Sequence, residues 1–113
     1  MKRGDIVLAS AGSGYAGKPR PVVVVQDSAY DTLTSVVVCP LSTSSPVADP
    51  LRIGLTPSPL NGLEEACAVM VDRVSAVPRT KLGVRIGEVD QKMLVAITRG
   101  LASLIGLGSS NTL

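Results

Sequence analysis

Short apolar runs, separated by polar turn residues, recur along most of the chain. Runs of this kind, bounded by Gly, Pro, Asn, Asp and Ser, predict β-strands. The second run is apolar without alternation, which is typical of a strand buried on both faces. Pro40, close to the end of the third run, predicts an edge or a bulge, because proline has no N–H to donate. The predicted strands are residues 5–9, 21–26, 33–41, 51–55, 64–74 and 83–88, and residues 78–82 form a connector.

The last periodic segment has the spacing of an α-helix. Its apolar positions recur every three or four residues, at Leu94, Ile97, Leu101, Leu104 and Ile105. An aspartate at position 90 is suited to capping the start of this helix, and a glycine at 106 or 108 to ending it. The glycine at position 100 weakens the helix. Short strands followed by one helix predict a single domain, residues 1–113, that is mainly β with α: a small, strongly curved antiparallel barrel or sheet plus a C-terminal helix.

Composition restricts the chemistry that this chain can perform. The 113 residues are 45% hydrophobic and 18% charged, with a net charge of +2, two tyrosines and no histidine. Such a chain folds, but its charge is too small to indicate nucleic-acid binding by itself. Without histidine the usual proton shuttle near neutral pH is missing. Because no cysteine pair has the spacing of metal ligands, we expect no metal site, and we expect no cofactor.

The two cysteines and the absence of long apolar segments indicate a compartment. Cys39 and Cys67 each lie inside an apolar run, which favours buried free thiols, although a disulfide between them is the alternative. The sequence has no signal peptide and no apolar run of membrane-spanning length. We therefore expect a cytoplasmic protein with no membrane partner.

A basic glycine loop leads directly into the second apolar run. Residues 12–21 read Gly-Ser-Gly-Tyr-Ala-Gly-Lys-Pro-Arg-Pro, so that Arg20 stands between two prolines and two residues after Lys18. Glycines let the backbone approach a ligand closely, and the prolines fix the dihedral angles on either side of the arginine. A guanidinium held in this way is a planar, permanently charged fork that suits a phosphate. The alternative is a basic residue in an exposed loop.

Hydroxyl and acidic groups follow two other apolar runs. Ser42 and Thr43 come directly after the third run and can hydrogen-bond a phosphate oxygen, or simply form a turn. Asp72 and Arg73 follow the apolar segment 66–71, where the carboxylate is either an ion-paired structural group or an acid–base group for a ribose 2′-hydroxyl. All these residues lie at strand ends, where loops carried on a rigid scaffold commonly hold functional residues.

Four segments in order resemble the MazF/PemK family of toxin endoribonucleases. They are residues 3–7 (Arg-Gly-Asp-Ile-Val), 17–24 (Gly-Lys-Pro-Arg-Pro-Val-Val-Val), 38–43 (Val-Cys-Pro-Leu-Ser-Thr) and 71–74 (Val-Asp-Arg-Val), with the terminal helix in the expected place. The resemblance covers nearly the whole chain. It implies an SH3-like β-barrel with an added helix, a homodimer, and metal-independent cleavage of single-stranded RNA. Such cleavage proceeds by 2′-hydroxyl attack and leaves a cyclic phosphate and a 5′-hydroxyl.

The resemblance also implies roles for individual residues. The family arginine that matches Arg20 is catalytic, the hydroxyl residue that matches Ser42 assists it, and the acid that matches Asp72 is a base or an RNA contact. Arginine titrates too high to be an ordinary proton donor at neutral pH, so electrostatic stabilisation is the role expected of Arg20. We expect RNA contacts from Lys18, Thr43, Arg73 and Tyr15.

Partners and rival functions follow from the same resemblance. A cognate antitoxin, acidic and disordered until bound, would cover the basic rim. CcdB-like toxins of the same superfamily poison DNA gyrase without cutting nucleic acid, through the C-terminal helix and a tail that typically ends in an aromatic residue. This chain ends in Ser-Ser-Asn-Thr-Leu, which has no aromatic residue. A degenerate relative kept for protein contacts is the third alternative.

Overall fold

The computed structural model describes residues 1–10 and 18–108. Within them the chain forms seven strands followed by one helix. The strands are β1 (Asp5–Ala9), β2 (Arg20–Val24), β3 (Ser35–Ser42), β4 (Arg52–Leu55), β5 (Cys67–Met70), β6 (Ser75–Pro78) and β7 (Leu82–Glu88), and the helix is α1 (Gln91–Leu104). None of the helices in the described part of the chain is long and apolar enough to cross a membrane.

All strand pairs are antiparallel, and β3 is the branch point of the sheet. The strand order is β4-β5-β3-β2-β1-β7, with β6 also paired to β3. One end of β3 pairs with β6 through residues 35–38, and its other end pairs with β5 through residues 41 and 42. The predicted fold class, antiparallel β-structure with a C-terminal helix, is confirmed, although among the described residues the sheet does not close into a barrel.

Pro40 lies where β3 changes partner. Its register position opposite β2 is Val22, but neither β5 nor β6 is registered against it on the other side. At Pro40 itself β3 thus has one free side, which agrees with the edge alternative of the prediction for this stretch, although β3 as a whole lies inside the sheet. The missing N–H is tolerated because this short stretch of β3 has a strand on one side only.

Alternate residues of the central strands enter two separate hydrophobic clusters, as expected for strands covered on both faces. Ile6, Val23 and Cys39 belong to the larger cluster, which α1 covers through Ile97. The smaller cluster is on the opposite face and consists of Val7, Ala9, Val22, Val24, Val36 and Val38. The prediction that the second apolar run is buried on both faces is confirmed. Because the central strands are buried on both faces, valine side chains can form much of the core in a chain that has no Phe or Trp.

The predicted strand 64–74 was too long, whereas the predicted connector 78–82 matches the 3₁₀ turn Arg79–Lys81 to within one residue at each end. The chain leaves β5 after Met70 through a 3₁₀ turn, Val71–Arg73, and then forms β6. The fully buried Val71 anchors this turn, because its amide donates to the carbonyl oxygen of Leu51 at 2.9 Å. β6 escaped prediction because only Val77 in it is half-buried, so that the strand has almost no apolar alternation.

The helix begins and ends as predicted. The carboxylate of Asp90 accepts a hydrogen bond from the Met93 amide at 2.8 Å, which satisfies one unpaired N–H of the first turn. Past the last turn, Gly106 has a φ of +81°, a conformation in which glycine commonly ends a helix. Gly100 does more than weaken the helix: it is buried, and it lies against Pro50 and Val71.

Candidate functional site

A groove of about 990 Å³ collects most of the residues predicted to carry chemistry. It lies along the beginning of β2, the end of β3 and the segment that leads into β5. The predicted residues that line it are Lys18, Arg20, Ser42, Thr43 and Arg73. The expectation that these strand ends share one rim is therefore met for five residues that come from three separate parts of the sequence.

Sheet register places the arginine and the serine. Arg20 is the first residue of β2 and stands opposite Ala9 of β1, between the two prolines, with Pro21 opposite Leu8. Ser42 is the last residue of β3 and stands opposite Ala68 of β5. Both residues thus belong to paired strands rather than to loops. Such a backbone holds a functional group more rigidly than a loop does.

The hydroxyl of Ser42 is oriented by a local turn. Its Oγ accepts a hydrogen bond from the Ser44 amide at 3.2 Å and lies 3.2 Å from Ser44 Oγ. Serines form such turns with the backbone two residues on. Because a hydroxyl keeps a donor and a further lone pair, Ser42 can bind a phosphate oxygen while the turn is intact. The turn alternative and the phosphate alternative are therefore compatible.

Asp72 has a different environment from its neighbour Arg73. Its carboxylate accepts two hydrogen bonds from Arg52, from Nε at 2.6 Å and from Nη2 at 2.9 Å. Arg52, and to a smaller degree Arg73, hold the pKa of Asp72 below its usual range, and Asp72 in turn raises the pKa of Arg52. Asp72 is not among the residues that line the groove, whereas Arg73 is. The ion-paired alternative for Asp72 describes these contacts.

Two acidic residues of the groove were missed by sequence reasoning. Glu64 and Glu65 line it together with the cations. All nine Asp and Glu side chains belong to the described residues, and these two are the ones that line the groove. The signal available was weak: a pair of acidic residues just before an apolar strand, which is also the pattern of an ordinary solvated turn.

The segment that carries these acids is held tightly against β7. Asn61 is 3% exposed, and its side-chain oxygen accepts hydrogen bonds from the amides of Ser58 and Leu63, both at 3.0 Å. Gly62 has a φ of +67°, and a Cβ there would lie 2.1 Å from the carbonyl oxygen of Ile86. A side chain at position 62 is therefore excluded on two grounds. The Asn-Gly turn packs directly against β7 and thereby fixes the position at which Glu64 and Glu65 enter the groove.

Cys39 and Cys67 are both free, as predicted. Cys39 is buried, and burial raises its pKa to about 12. Cys67 is half-buried, lines the groove, and has a pKa raised by burial. Neither thiol is therefore ionised near neutral pH.

Two further predictions concern aromatic and metal-binding residues. Tyr15, predicted as an RNA contact, lies outside the described residues. Over residues 1–10 and 18–108, no three His, Cys, Asp or Glu side chains are grouped so that they could hold a metal ion.

Comparison with known proteins assigns the fold and the family. The family described as "PemK-like, MazF-like toxin of type II toxin-antitoxin system" matches residues 2–105. A probable endoribonuclease MazF of Mycolicibacterium smegmatis is 41% identical over 107 residues, which cover 95% of this chain and 98% of that protein.

Solved structures show the same fold at lower identity. An endoribonuclease in complex with its cognate antitoxin from a mycobacterial species has a TM-score of 0.77 at 24% identity, covering 95% of this chain and 96% of that one. A MazE–MazF crystal structure from Deinococcus radiodurans has a TM-score of 0.78 at 20% identity, covering 95% and 97%. Because the family match spans residues 2–105 and a relative is 41% identical over 95% of the chain, this chain belongs to the PemK-like, MazF-like toxin family of type II toxin–antitoxin systems.

Proposed function

We propose that this chain is the toxin of a type II toxin–antitoxin pair and cleaves single-stranded RNA in the groove. One observation carries the proposal: Arg20, Ser42 and Arg73 line a single groove in a chain that is 41% identical to a probable endoribonuclease. Cations and hydroxyls along one groove are the groups that bind a phosphodiester backbone. The family and the groove chemistry thus point to the same substrate class.

The reaction is attack by a ribose 2′-hydroxyl oxygen on the adjacent phosphorus. The bond from phosphorus to the 5′-oxygen breaks, which leaves a 2′,3′-cyclic phosphate on one fragment. The 2′-hydroxyl gives up its proton to a base, and the departing 5′-oxygen takes a proton from solvent to become a hydroxyl. No water is added to the phosphorus in this step, so the chain needs no group that activates a water nucleophile.

Arg20 stabilises the extra negative charge that develops on the phosphoryl oxygens in the transition state. A guanidinium is a permanently charged hydrogen-bond donor, which suits electrostatic stabilisation rather than proton transfer. Ser42 donates its hydroxyl hydrogen to a phosphoryl oxygen. Lys18, Thr43 and Arg73, and Tyr15 of the glycine loop, contact the RNA on either side of the cleaved bond. The acid–base role predicted for Asp72 stays a prediction, because its carboxylate pairs with Arg52 instead of lining the groove.

A cognate antitoxin is the protein partner in this proposal, and a homodimer is the working unit. Large apolar side chains remain exposed on the single chain, among them Val84 at 67%, Ile105 at 76% and Leu107 at 73%. Ile105 and Leu107 follow directly on α1, and a contiguous exposed apolar patch commonly marks a protein–protein interface. An acidic antitoxin segment would compete with RNA for the cations of the groove. The proposed site of action is the cytoplasm, where mRNA is translated.

The test is incubation of the purified chain with a long mixed-sequence single-stranded RNA in excess EDTA, with the 5′ ends of all fragments mapped. We expect discrete cuts with 5′-hydroxyl ends, and a loss of about 100-fold or more for Arg20→Ala. Arg99→Ala is the matched control, since it removes an arginine from α1, outside the groove. Cleavage that requires added metal would overturn the proposal that the reaction is metal-independent. No cleavage by folded, antitoxin-free protein would favour the gyrase-poison or inactive-relative alternative.

A further inference from the structure

Arg52 joins two segments that both enter the groove, although it does not line the groove itself. Its Nε and Nη2 donate to the two carboxylate oxygens of Asp72 at 2.6 and 2.9 Å, and its Nη1 donates to Ser45 Oγ at 2.7 Å. All three guanidinium nitrogens are therefore engaged. The side chains of Arg52 and Asp72 are 24% and 34% exposed, so the pair is partly screened from solvent rather than buried.

The two ends of this bridge lead to residues of the groove. Asp72 is the middle residue of the 3₁₀ turn Val71–Arg73, and its neighbour Arg73 lines the groove. At the other end, Ser45 follows the turn in which Ser44 holds the hydroxyl of Ser42. One guanidinium thus connects the segment that carries a groove cation to the segment that carries the groove hydroxyls.

We propose that Arg52 and Asp72 are positioning residues for RNA cleavage: their ion pair, extended to Ser45, holds Arg73 and Ser42 at a fixed separation across the groove. The inference rests on the proposed function for its catalytic consequence. It changes the expected role of Asp72 from an acid–base group to an anchor. Arg52, which sequence reasoning did not single out, becomes part of the site's support.

The contacts of Asp72 suit an anchor better than a base. Both of its oxygens accept hydrogen bonds from one cation, so taking up a proton would break part of that pairing. Arg52 and, more weakly, Arg73 keep the pKa of Asp72 low, whereas a general base works best with a pKa near the working pH. A ribose would be bound in the groove, and the carboxylate of Asp72 does not line that groove.

The geometry of the bridge explains why arginine is needed at position 52. A guanidinium is a planar fork that can serve a carboxylate through two nitrogens and still donate elsewhere through the third. A lysine at position 52 can pair with Asp72 but cannot also reproduce the bond to Ser45 from the same rigid plane. Lysine should therefore restore part of the function and glutamine none of it.

The test is a double-mutant cycle of Asp72→Asn, Arg52→Gln and both together, with RNA cleavage measured in single-turnover conditions. Residues that act through one contact are non-additive. We expect each single variant to lose about tenfold in rate, and the double variant to lose about the same rather than about a hundredfold. Arg52→Lys should recover part of the loss, and Ser45→Ala should lose about threefold. Asp31→Asn, which removes a carboxylate paired to Arg79 away from the groove, is the control and should cleave normally.

The pH dependence of the rate separates an anchor from a base. Asp72 is faced by Arg52 and Arg73, and by the buried thiol of Cys39. If it is an anchor, all four members of the cycle have rate profiles of the same shape between pH 5 and 9, differing in height alone. A near-complete loss in Asp72→Asn, normal rates in Arg52→Gln, or a displaced acidic limb would overturn the proposal.

Hydrogen exchange measures the positioning without any cleavage. We expect Asp72→Asn and Arg52→Gln to speed exchange of the amides of residues 43–46 and 71–74, and to leave those of β1 and β2 unchanged. Unchanged exchange in both segments would overturn the proposal even if the rates fell. If the wild-type chain cut no RNA while the exchange result held, the proposed function would fail and the structural bridge would stand.

Discussion

Replacing Gly100 with alanine tests how closely α1 packs on the segments behind the groove. An ideal Cβ at this position would lie 2.5 Å from the carbonyl oxygen of Pro50 and 3.4 Å from both methyl groups of Val71. The oxygen belongs to the backbone and cannot rotate away as a flexible side chain would. The helix or the loop at Pro50 must therefore shift before an alanine fits.

Two effects of opposite sign determine the result for Gly100→Ala. Alanine is favoured over glycine in a helix interior by about 1 kcal/mol. Overpacking a tight contact typically costs about 1–3 kcal/mol, and a 2.5 Å approach to a backbone oxygen belongs at the upper end of that range. We expect a net loss of about 1–2 kcal/mol in the free energy of unfolding.

The assay is reversible unfolding in guanidinium chloride followed by circular dichroism, with thermal melts alongside. For a domain of this size the expected loss lowers Tm by about 4–12 °C. Ser103→Ala is the matched control: an exposed helical position where only the propensity gain applies, so that stability should rise by a few tenths of a kcal/mol. A Gly100→Ala protein as stable as the wild type, or more stable, would refute the close packing between α1 and Pro50.

Three further outcomes follow from the charges and thiols. The pKa of Asp72 is lower in the folded chain than in the unfolded chain, so the stabilisation by its carboxylate is present above about pH 4 and is lost as the pH falls through the lowered pKa. The difference in free energy of unfolding between wild type and Asp72→Asn should therefore shrink between pH 7 and pH 3. A constant difference would contradict this. Removing the two negative charges of the groove with Glu64→Gln and Glu65→Gln should lower KM for RNA about threefold at low salt, and about 0.5 M salt should abolish the difference. Asp49→Asn, outside the groove, is the control. A raised KM would be contrary to expectation. Cys39, with its pKa of about 12, should resist iodoacetamide at pH 8 until the chain unfolds, and rapid alkylation of the native protein would show that its strand opens.

Local pattern was sufficient for the elements whose signal is local. Apolar runs and turn residues predicted β1 to β5, β7 and the helix to within a few residues, apart from the length of the fifth strand. The proline-flanked arginine and the hydroxyl pair also stand in unbroken stretches of sequence, and Arg20 and Ser42 do line one groove. These features are legible because each depends on residues a few positions apart, where backbone geometry fixes the spacing.

Other features depend on which distant segments meet. β6 has little apolar alternation of its own, and it is a strand because residues 35–38 of β3 pair with it. In the sequence Gly100 only weakens the helix, whereas in the structure it allows the helix to pack closely against Pro50.

What the sequence by itself determined is the fold class, the family, and the basic and hydroxyl residues of the groove. What tertiary structure decided is the partner of each charge. From the sequence Asp72 could be a base or an ion-paired group; the structure pairs it with Arg52, twenty positions away, which the pairing of β4 with β5 brings beside it, while the base role stays a prediction. Glu64 and Glu65 line the groove because the Asn-Gly turn before them packs closely against β7. The physical reason is that a charge responds to whatever lies within a few ångströms, and strand register sets those neighbours.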